Sequence, residues 1–246
     1  MKFDRKKYLS DGYLIQKKII SKTDIALFFK EIKNILKIYN KKNFEYFFKN
    51  TKDRNSTYKK LQNLNSVRYL THKVCQKLEK SKTYSKLGFK VPTITNGLIL
   101  SLPDENENLN PLHQDIYNFL SFNFIKIWLP LTKVNNKNGS MVVYKSSNKL
   151  GFIEPKYKKD NSTYPEIEHK FTSGFKEIVF DLEPGDCVIF NPLILHKSVK
   201  NNSNVTRFNI GIDIQDFYTN GNPKVINKMI NIKNERSKKR QLLKNK

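Results

Sequence analysis

The stretch DLEPGDCVIFNPLILHKSV, residues 181–199, is where the scaffold and the chemistry of this chain meet. Pro184-Gly185 writes a tight turn between two apolar runs, EIVFDL (177–182) and DCVIF (186–190), and a further run, LILHKSV (193–199), carries His196. An imidazole embedded in a strand is held rigidly enough to serve as a metal ligand. A histidine merely packed in a strand is the competing reading until its neighbours are considered. Ser198, two residues on, shares the face of His196 through the two-residue period of a strand.

Downstream, Arg207 follows His196 by eleven residues and opens RFNIGIDIQ (207–215). Phe208, Ile210, Ile212 and Ile214 fall on one face of that strand; Arg207, Asn209, Gly211 and Asp213 fall on the other. A return through the turn KNNSN is expected to bring Arg207 back alongside His196. Upstream, PLHQDIYNF (111–119) places His113 and Asp115 two apart in a chain with four histidines. A His-x-Asp pair alone carries little information. The remaining histidines offer no better partner: His72 falls off the apolar stripe of a helix, and His169 lies in the charged run PEIEHKF, so both are expected at the surface. Two histidines and one carboxylate form the facial triad that leaves open positions on non-haem Fe(II). A guanidinium and a hydroxyl nearby match a carboxylate. A dicarboxylate that chelates iron at one end and pairs with Arg207 at the other meets both demands, and 2-oxoglutarate is such a molecule.

The scaffold reads in two parts. Residues 1–92 are mainly helical: TDIALFFKEIKNILKIY spaces Ile25, Phe28, Phe29, Ile32, Ile35 and Leu36 at three and four, with Ser21 or Thr23 as N-cap, and VRYLTHKVCQKLEKSKTY repeats this with Val67, Leu70, Val74 and Leu78. From residue 93 to 216 the texture is short strands with turn punctuation, adding TITNGLILSL (93–102), FNFIKIWLPL (122–131) and SMVVYK (140–145) to those above. That spacing suggests a sandwich, jelly roll or barrel. Residues 217–246 read as a basic, partly helical tail, so one domain is expected over 1–216.

The formal charge of +24 invites a nucleic-acid partner. Only six of the 46 basic residues are arginine, and the lysines are spread along the chain, which favours a solvated surface over a nucleic-acid reader. No apolar run is long enough for a membrane span. The start lacks a signal-peptide core, and two distant cysteines, Cys75 and Cys187, suit reduced thiols. A cytoplasmic protein is expected. Nothing in the sequence specifies an oligomeric state.

With these pieces in order, the chain resembles the phytanoyl-CoA dioxygenase family of Fe(II)/2-oxoglutarate oxygenases. The resemblance runs over about residues 8–215, through YLSDGYLIQKKIIS, HQD at 113–115, IWLPLTKVNNKNGSMVVYKSSNKLG at 127–151, EPGDCVIFNPLILHKS at 183–198, and Arg207. It implies a mainly β fold with a helical flank: a double-stranded β-helix (a cupin-like jelly roll) with N-terminal helices packed on one sheet. It implies His113, Asp115 and His196 as iron ligands, and Arg207 and Ser198 as the anchor for the distal carboxylate of 2-oxoglutarate. Gln114 and Trp128 stand where the family lines the co-substrate pocket, and Asn96 is a positional candidate for the inner carboxylate. Fe(II), 2-oxoglutarate and O2 are the implied cofactors, with release of succinate and CO2. Related halogenating enzymes lack the carboxylate that Asp115 supplies, so hydroxylation or desaturation is expected. The family often writes Pro-Gly-Ser-His-Lys where this chain has Tyr144-Lys145-Ser146-Ser147-Asn148-Lys149, on the substrate side, so substrate identity does not carry over. A small-molecule substrate is expected, anionic if the net charge extends to the pocket. Tyr117 and Phe119 share the alternating face of Asp115 and are candidate pocket residues.

Overall fold

The computed structural model describes residues 1–37, 58–61, 63–103, 109–118, 123–156, 165–218 and 223–244. Helix α1 (Arg5–Asp11) starts where the Asp4 side chain accepts from the Lys7 N–H and ends at Gly12. Strand β1 (Tyr13–Gln16) follows directly. Helix α2 (Lys22–Leu36) has Ser21 as its N-cap, as its sequence predicts, and buries Ile25, Phe28, Ile32 and Leu36. Helix α3 (Asn65–Lys80) buries the predicted Val67, Leu70, Val74 and Leu78, and the short α4 (Thr83–Lys86) completes the flank.

Seven further strands are β2 (Pro92–Ser101), β3 (Phe124–Pro130), β4 (Met141–Tyr144), β5 (Glu177–Val179), β6 (Cys187–Phe190), β7 (His196–Ser198) and β8 (Arg207–Asp216). They form two sheets, a large one ordered β1-β6-β3-β8-β2 and a small one ordered β5-β4-β7. Every pairing is antiparallel. The helices cover one face of the large sheet: Phe28, Ile32, Leu70, Val74 and Leu78 share a core with Ile127, Ile189, Ile210, Ile212 and Ile214. Each such side chain contributes about 2 kcal/mol relative to exposure. A one-residue slip of β8 would turn this row outward and drive Arg207, Asn209 and Asp213 into the helical core, so the register is firmly specified.

The other face of the large sheet meets the small sheet through Trp128, Val188 and Phe190 on one side and Met141 and Val143 on the other. The EPGD turn locks this arrangement to the N-terminal segment. Gly185 has φ +90, and a Cβ there would sit 2.3 Å from the Ile20 carbonyl oxygen, so only glycine fits. Asp186 accepts from the backbone N–H groups of Lys18 and Glu183 and from Lys17 Nζ. These contacts hold its carboxyl below the usual range against the upward pull of burial.

Three expectations are corrected. Helices of 7, 15, 16, 4 and 22 residues outweigh eight strands of 3 to 10, so the described chain is a mixed helix and sheet protein, not a mainly β one. Strand β1 lies inside the region read as helical flank; four residues are too short to display a period against the helices around them. The basic tail carries helix α5 (Pro223–Lys244), whose Met229 and Ile232 pack with Leu112, Ile116, Val142 and Leu195 on the outer face of the small sheet. Finally, β7 and β8 are not hairpin partners. β7 pairs with β4, whereas β8 pairs with β2 and β3, so the chain crosses between sheets after KNNSN.

Both cysteines are free and buried. Among the described residues no helix is long and apolar enough to cross a membrane.

Candidate metal centre

The inner faces of the two sheets carry the polar residues. Val143 pairs with His196 and Met141 with Ser198, so both β7 side chains point with Met141 and Val143 into the space between the sheets. His113 joins the edge of β7 through a two-bond antiparallel bridge: its N–H donates to the His196 carbonyl at 2.9 Å, and the His196 N–H donates back at 3.0 Å. The next turn, the 3-10 segment Asp115–Asn118, is pinned by the Pro192 carbonyl, which accepts from the N–H groups of Asp115 and Ile116.

Three ligand atoms result, from His113, Asp115 and His196, all buried and within 4.8 Å of one another. His113 Nε2 lies 3.5 Å from Asp115 Oδ1, and His196 Nε2 lies 3.4 Å from Asp115 Oδ2. Each Nδ1 is committed to a backbone carbonyl, His113 to Pro111 at 2.7 Å and His196 to Ile194 at 3.0 Å. With Nδ1–H donating outward, both Nε2 atoms face the carboxylate, which is the orientation that metal-binding histidines need. Electrostatics favour the same state. Burial and the neighbouring His196 push His113 below its ordinary value, so the ring is neutral. Burial raises Asp115, but Lys126, His196 and His113 outweigh it and hold the carboxyl well below the carboxylate range. His113 and Asp115 are thus in the forms that ligate a divalent cation.

Arg207 lies on the inward face of the opposite sheet, at the start of β8. Its guanidinium lies over the Trp128 ring, 5.2 Å from the centroid, and Nη1 donates to Asn209 Oδ1. It is 6% exposed, and its Nε has no hydrogen-bond partner among the described residues. Burial pushes it down to about 10, so it remains a cation at neutral pH. A buried guanidinium with an unsatisfied N–H is costly unless an anion completes it. A carboxylate between the sheets would do so. Trp128 packs against Phe180 and floors the guanidinium. Ser198 shares the inward face of β7 with His196.

Two predicted residues are elsewhere. Gln114 is wholly buried, donating to the carbonyls of Gly151 and Leu193 and accepting from the Ile153 N–H, so it ties these loops together. Asn96 is exposed and pairs with Ile212, on the helix-facing side of the sheet, because its parity matches Leu98 and not Ser101. His72 and His169 are exposed as expected. Lys145 pairs with Asp11, and Ser147 Oγ accepts from the Leu195 N–H, so the segment that departs from the family pattern is used structurally. Phe119 and the side chain of Tyr117 lie outside the described residues.

Sequence reasoning did not assign Lys126 or Asp213 a place here. Lys126 Nζ lies 3.2 Å from Asp115 Oδ2 and 3.0 Å from Asp213 Oδ1. The signal was present, since each is a charged residue on an inward strand face between apolar neighbours. Lys126 and Arg207 balance Asp115 and Asp213, so the net charge of +24 does not extend to this space.

Comparison with known proteins shows a family and a fold. A family model described as phytanoyl-CoA dioxygenase (PhyH) matches residues 8–209. A probable phytanoyl-CoA dioxygenase of Caenorhabditis elegans is 31% identical over 114 residues, covering 42% of this chain. The match spans 36% of that relative's length. Among solved structures, EvdO2 from Micromonospora carbonacea var. aurantiaca, complexed with 2-oxoglutarate, is similar at 13% identity and a TM-score of 0.62, covering 91% of this chain and 96% of its own. The non-haem alpha-ketoglutarate-dependent carbocyclase SnoK from nogalamycin biosynthesis is 14% identical with a TM-score of 0.55, covering 87% and 84%. The nickel complex of the non-haem monooxygenase ThoJ is 15% identical with a TM-score of 0.56, covering 96% and 98%. At these identities the likeness is one of fold.

Proposed function

The chain belongs to the phytanoyl-CoA dioxygenase family, and from that premise we propose that it is a non-haem Fe(II)/2-oxoglutarate-dependent dioxygenase that hydroxylates a small-molecule metabolite. The observation that carries this is one pairing of features: a convergent His113–Asp115–His196 cluster on the small-sheet side, and on the inward face of the large sheet the buried guanidinium of Arg207, whose Nε has no hydrogen-bond partner among the described residues. We read the two facing antiparallel sheets as the two halves of a double-stranded β-helix.

His113, Asp115 and His196 would hold the iron, and their Nδ1 hydrogen bonds to Pro111 and Ile194 keep the rings aimed. Arg207 would take the distal carboxylate of 2-oxoglutarate on the face of Trp128, with the Ser198 hydroxyl as a further donor. When bound, Fe(II) supplies the coupling of 2-oxoglutarate decarboxylation and O2 reduction to oxidation of a C–H bond, releasing succinate and CO2. Phe190, whose ring meets His196 edge-on at 5.1 Å, and Trp128 exclude water from that space. The two buried thiols suit a reducing, cytoplasmic setting.

The test is turnover: protein loaded with Fe(II) should convert 2-oxoglutarate to succinate slowly without a substrate and faster with the right one. His196→Ala and Asp115→Ala should abolish both. Succinate release that survives either substitution would refute the assignment.

A further inference from the structure

A buried lysine beside an anionic metal ligand is an unusual neighbour, because it is a cation where a cation must bind. Lys126 projects from β3 between two carboxylates, 3.2 Å from Asp115 Oδ2 and 3.0 Å from Asp213 Oδ1. Register explains the arrangement: Lys126 pairs with Asp213 across β3 and β8, so the two side chains share the inward face. All three are largely buried, with side-chain exposures of 18% for Lys126, 20% for Asp213 and 6% for Asp115. A lone buried ammonium or carboxylate would be strongly disfavoured; here the one ammonium is shared by two carboxylates and compensates one of their two charges.

We propose that Lys126, held in place by Asp213, is a positioning residue that sets the metal affinity of the His113–Asp115–His196 cluster. Its ammonium orients and neutralises Asp115 before a metal arrives and prevents the charge of Asp213 from adding to the site. The inference rests on the metal-centre reading above. It gives a reason for a second carboxylate beside the three ligands: without Lys126 the site would hold two uncompensated carboxylates and bind divalent cations far more tightly. With both residues present, Asp115 is the sole uncompensated charge once a metal takes the place of the ammonium as its partner. A role for Lys126 as receptor for a substrate anion is less well supported, because both its neighbours are already carboxylates.

The experiment is a titration with Co(II) alone of the wild type, Lys126→Met, Asp213→Asn and the double variant, followed by visible absorption and calorimetry. Far-UV circular dichroism checks each fold. Charge logic predicts opposite signs: Lys126→Met should bind Co(II) about tenfold or more tighter and Asp213→Asn about tenfold weaker, with the double variant within about threefold of wild type. A merely structural role predicts weaker binding in both single variants. Should Lys126→Met fail to fold, the double variant, with the ion pair replaced by neutral groups, still decides together with Asp213→Asn. Lys126→Met binding no tighter than wild type, or a double variant far from it, overturns the proposal while leaving the metal centre intact. Absence of Co(II) binding by folded wild type overturns the metal centre, and the proposal with it.

Discussion

The imidazoles of His113 and His196 lie with their ring centroids 4.1 Å apart, and a backbone bridge holds them there. Each histidine donates its N–H to the carbonyl of the other. The first and last residues of the candidate triad are thus fixed by the same hydrogen bonds that extend the small sheet, and Asp115 follows on a turn pinned by Pro192. A site built on ladder bonds costs little to hold in its binding geometry.

Arg207 should govern 2-oxoglutarate and not the metal. Arg207→Met is expected to weaken 2-oxoglutarate binding on the order of 10–100-fold, because a hydrogen bond to a charged group contributes about 1.5–3 kcal/mol. Co(II) affinity should stay near wild type. Arg207→Lys should recover only part of the loss, since a point charge does not reproduce the stack over Trp128. Calorimetric titration of the metal-loaded variants with 2-oxoglutarate checks this.

Gln114 should behave oppositely. Gln114→Ala leaves the Ile153 N–H and the Gly151 and Leu193 carbonyls short of a partner. A loss of about 2–3 kcal/mol in denaturant unfolding is expected, because leaving a buried polar group unsatisfied costs about 1–3 kcal/mol. In the folded fraction the 2-oxoglutarate affinity should be unchanged; a large change would return Gln114 to the pocket.

That contrast marks how much of the site was legible in the sequence. The spacing of His113, Asp115 and His196 and the parity of Arg207 in β8 survive into three dimensions, because a strand's two-residue period assigns faces without knowledge of its partners. Pairing is not local, and there the sequence misleads. Arg207 faces the site across two sheets and not along a hairpin, and Asn96 falls on the helix side because the register of β2 against β8 decides it. Lys126 and Asp213 were visible as inward charges, but only the register places them against each other and beside Asp115. The docking of α5 was illegible for a different reason: a few apolar side chains, Met229 and Ile232 among them, carry it within a run otherwise rich in lysine.

The docked helix gives its own prediction. Met229 is wholly buried with Ile116, directly behind the turn that carries Asp115. Met229→Ala should cost about 2–5 kcal/mol in unfolding free energy, the usual range for emptying a packed core position. A frayed tail would show no measurable change.

Acid stability should report the α2–α3 contact. Asp24 accepts from Lys73 Nζ at 2.6 Å, from Ser21 Oγ and from Tyr69. Lys73 foremost, then Ser21, lower its carboxyl from 3.8 to about 2. A carboxyl depressed in the folded state contributes stability that is complete above its unfolded value and disappears as pH falls through the folded one. Wild type should therefore lose its advantage over Asp24→Asn between pH 3.8 and about 2, as read from urea midpoints across that range. A difference independent of pH would refute the assignment.

The central claim is that His113, Asp115 and His196 hold Fe(II) where 2-oxoglutarate can chelate it. Anaerobic addition of Fe(II) and then 2-oxoglutarate to folded protein tests this directly, through the visible charge-transfer band of an Fe(II)–2-oxoacid chelate. The band is expected in wild type and absent in His196→Ala. No band in folded wild type, or an undiminished band in the variant, would contradict the assignment.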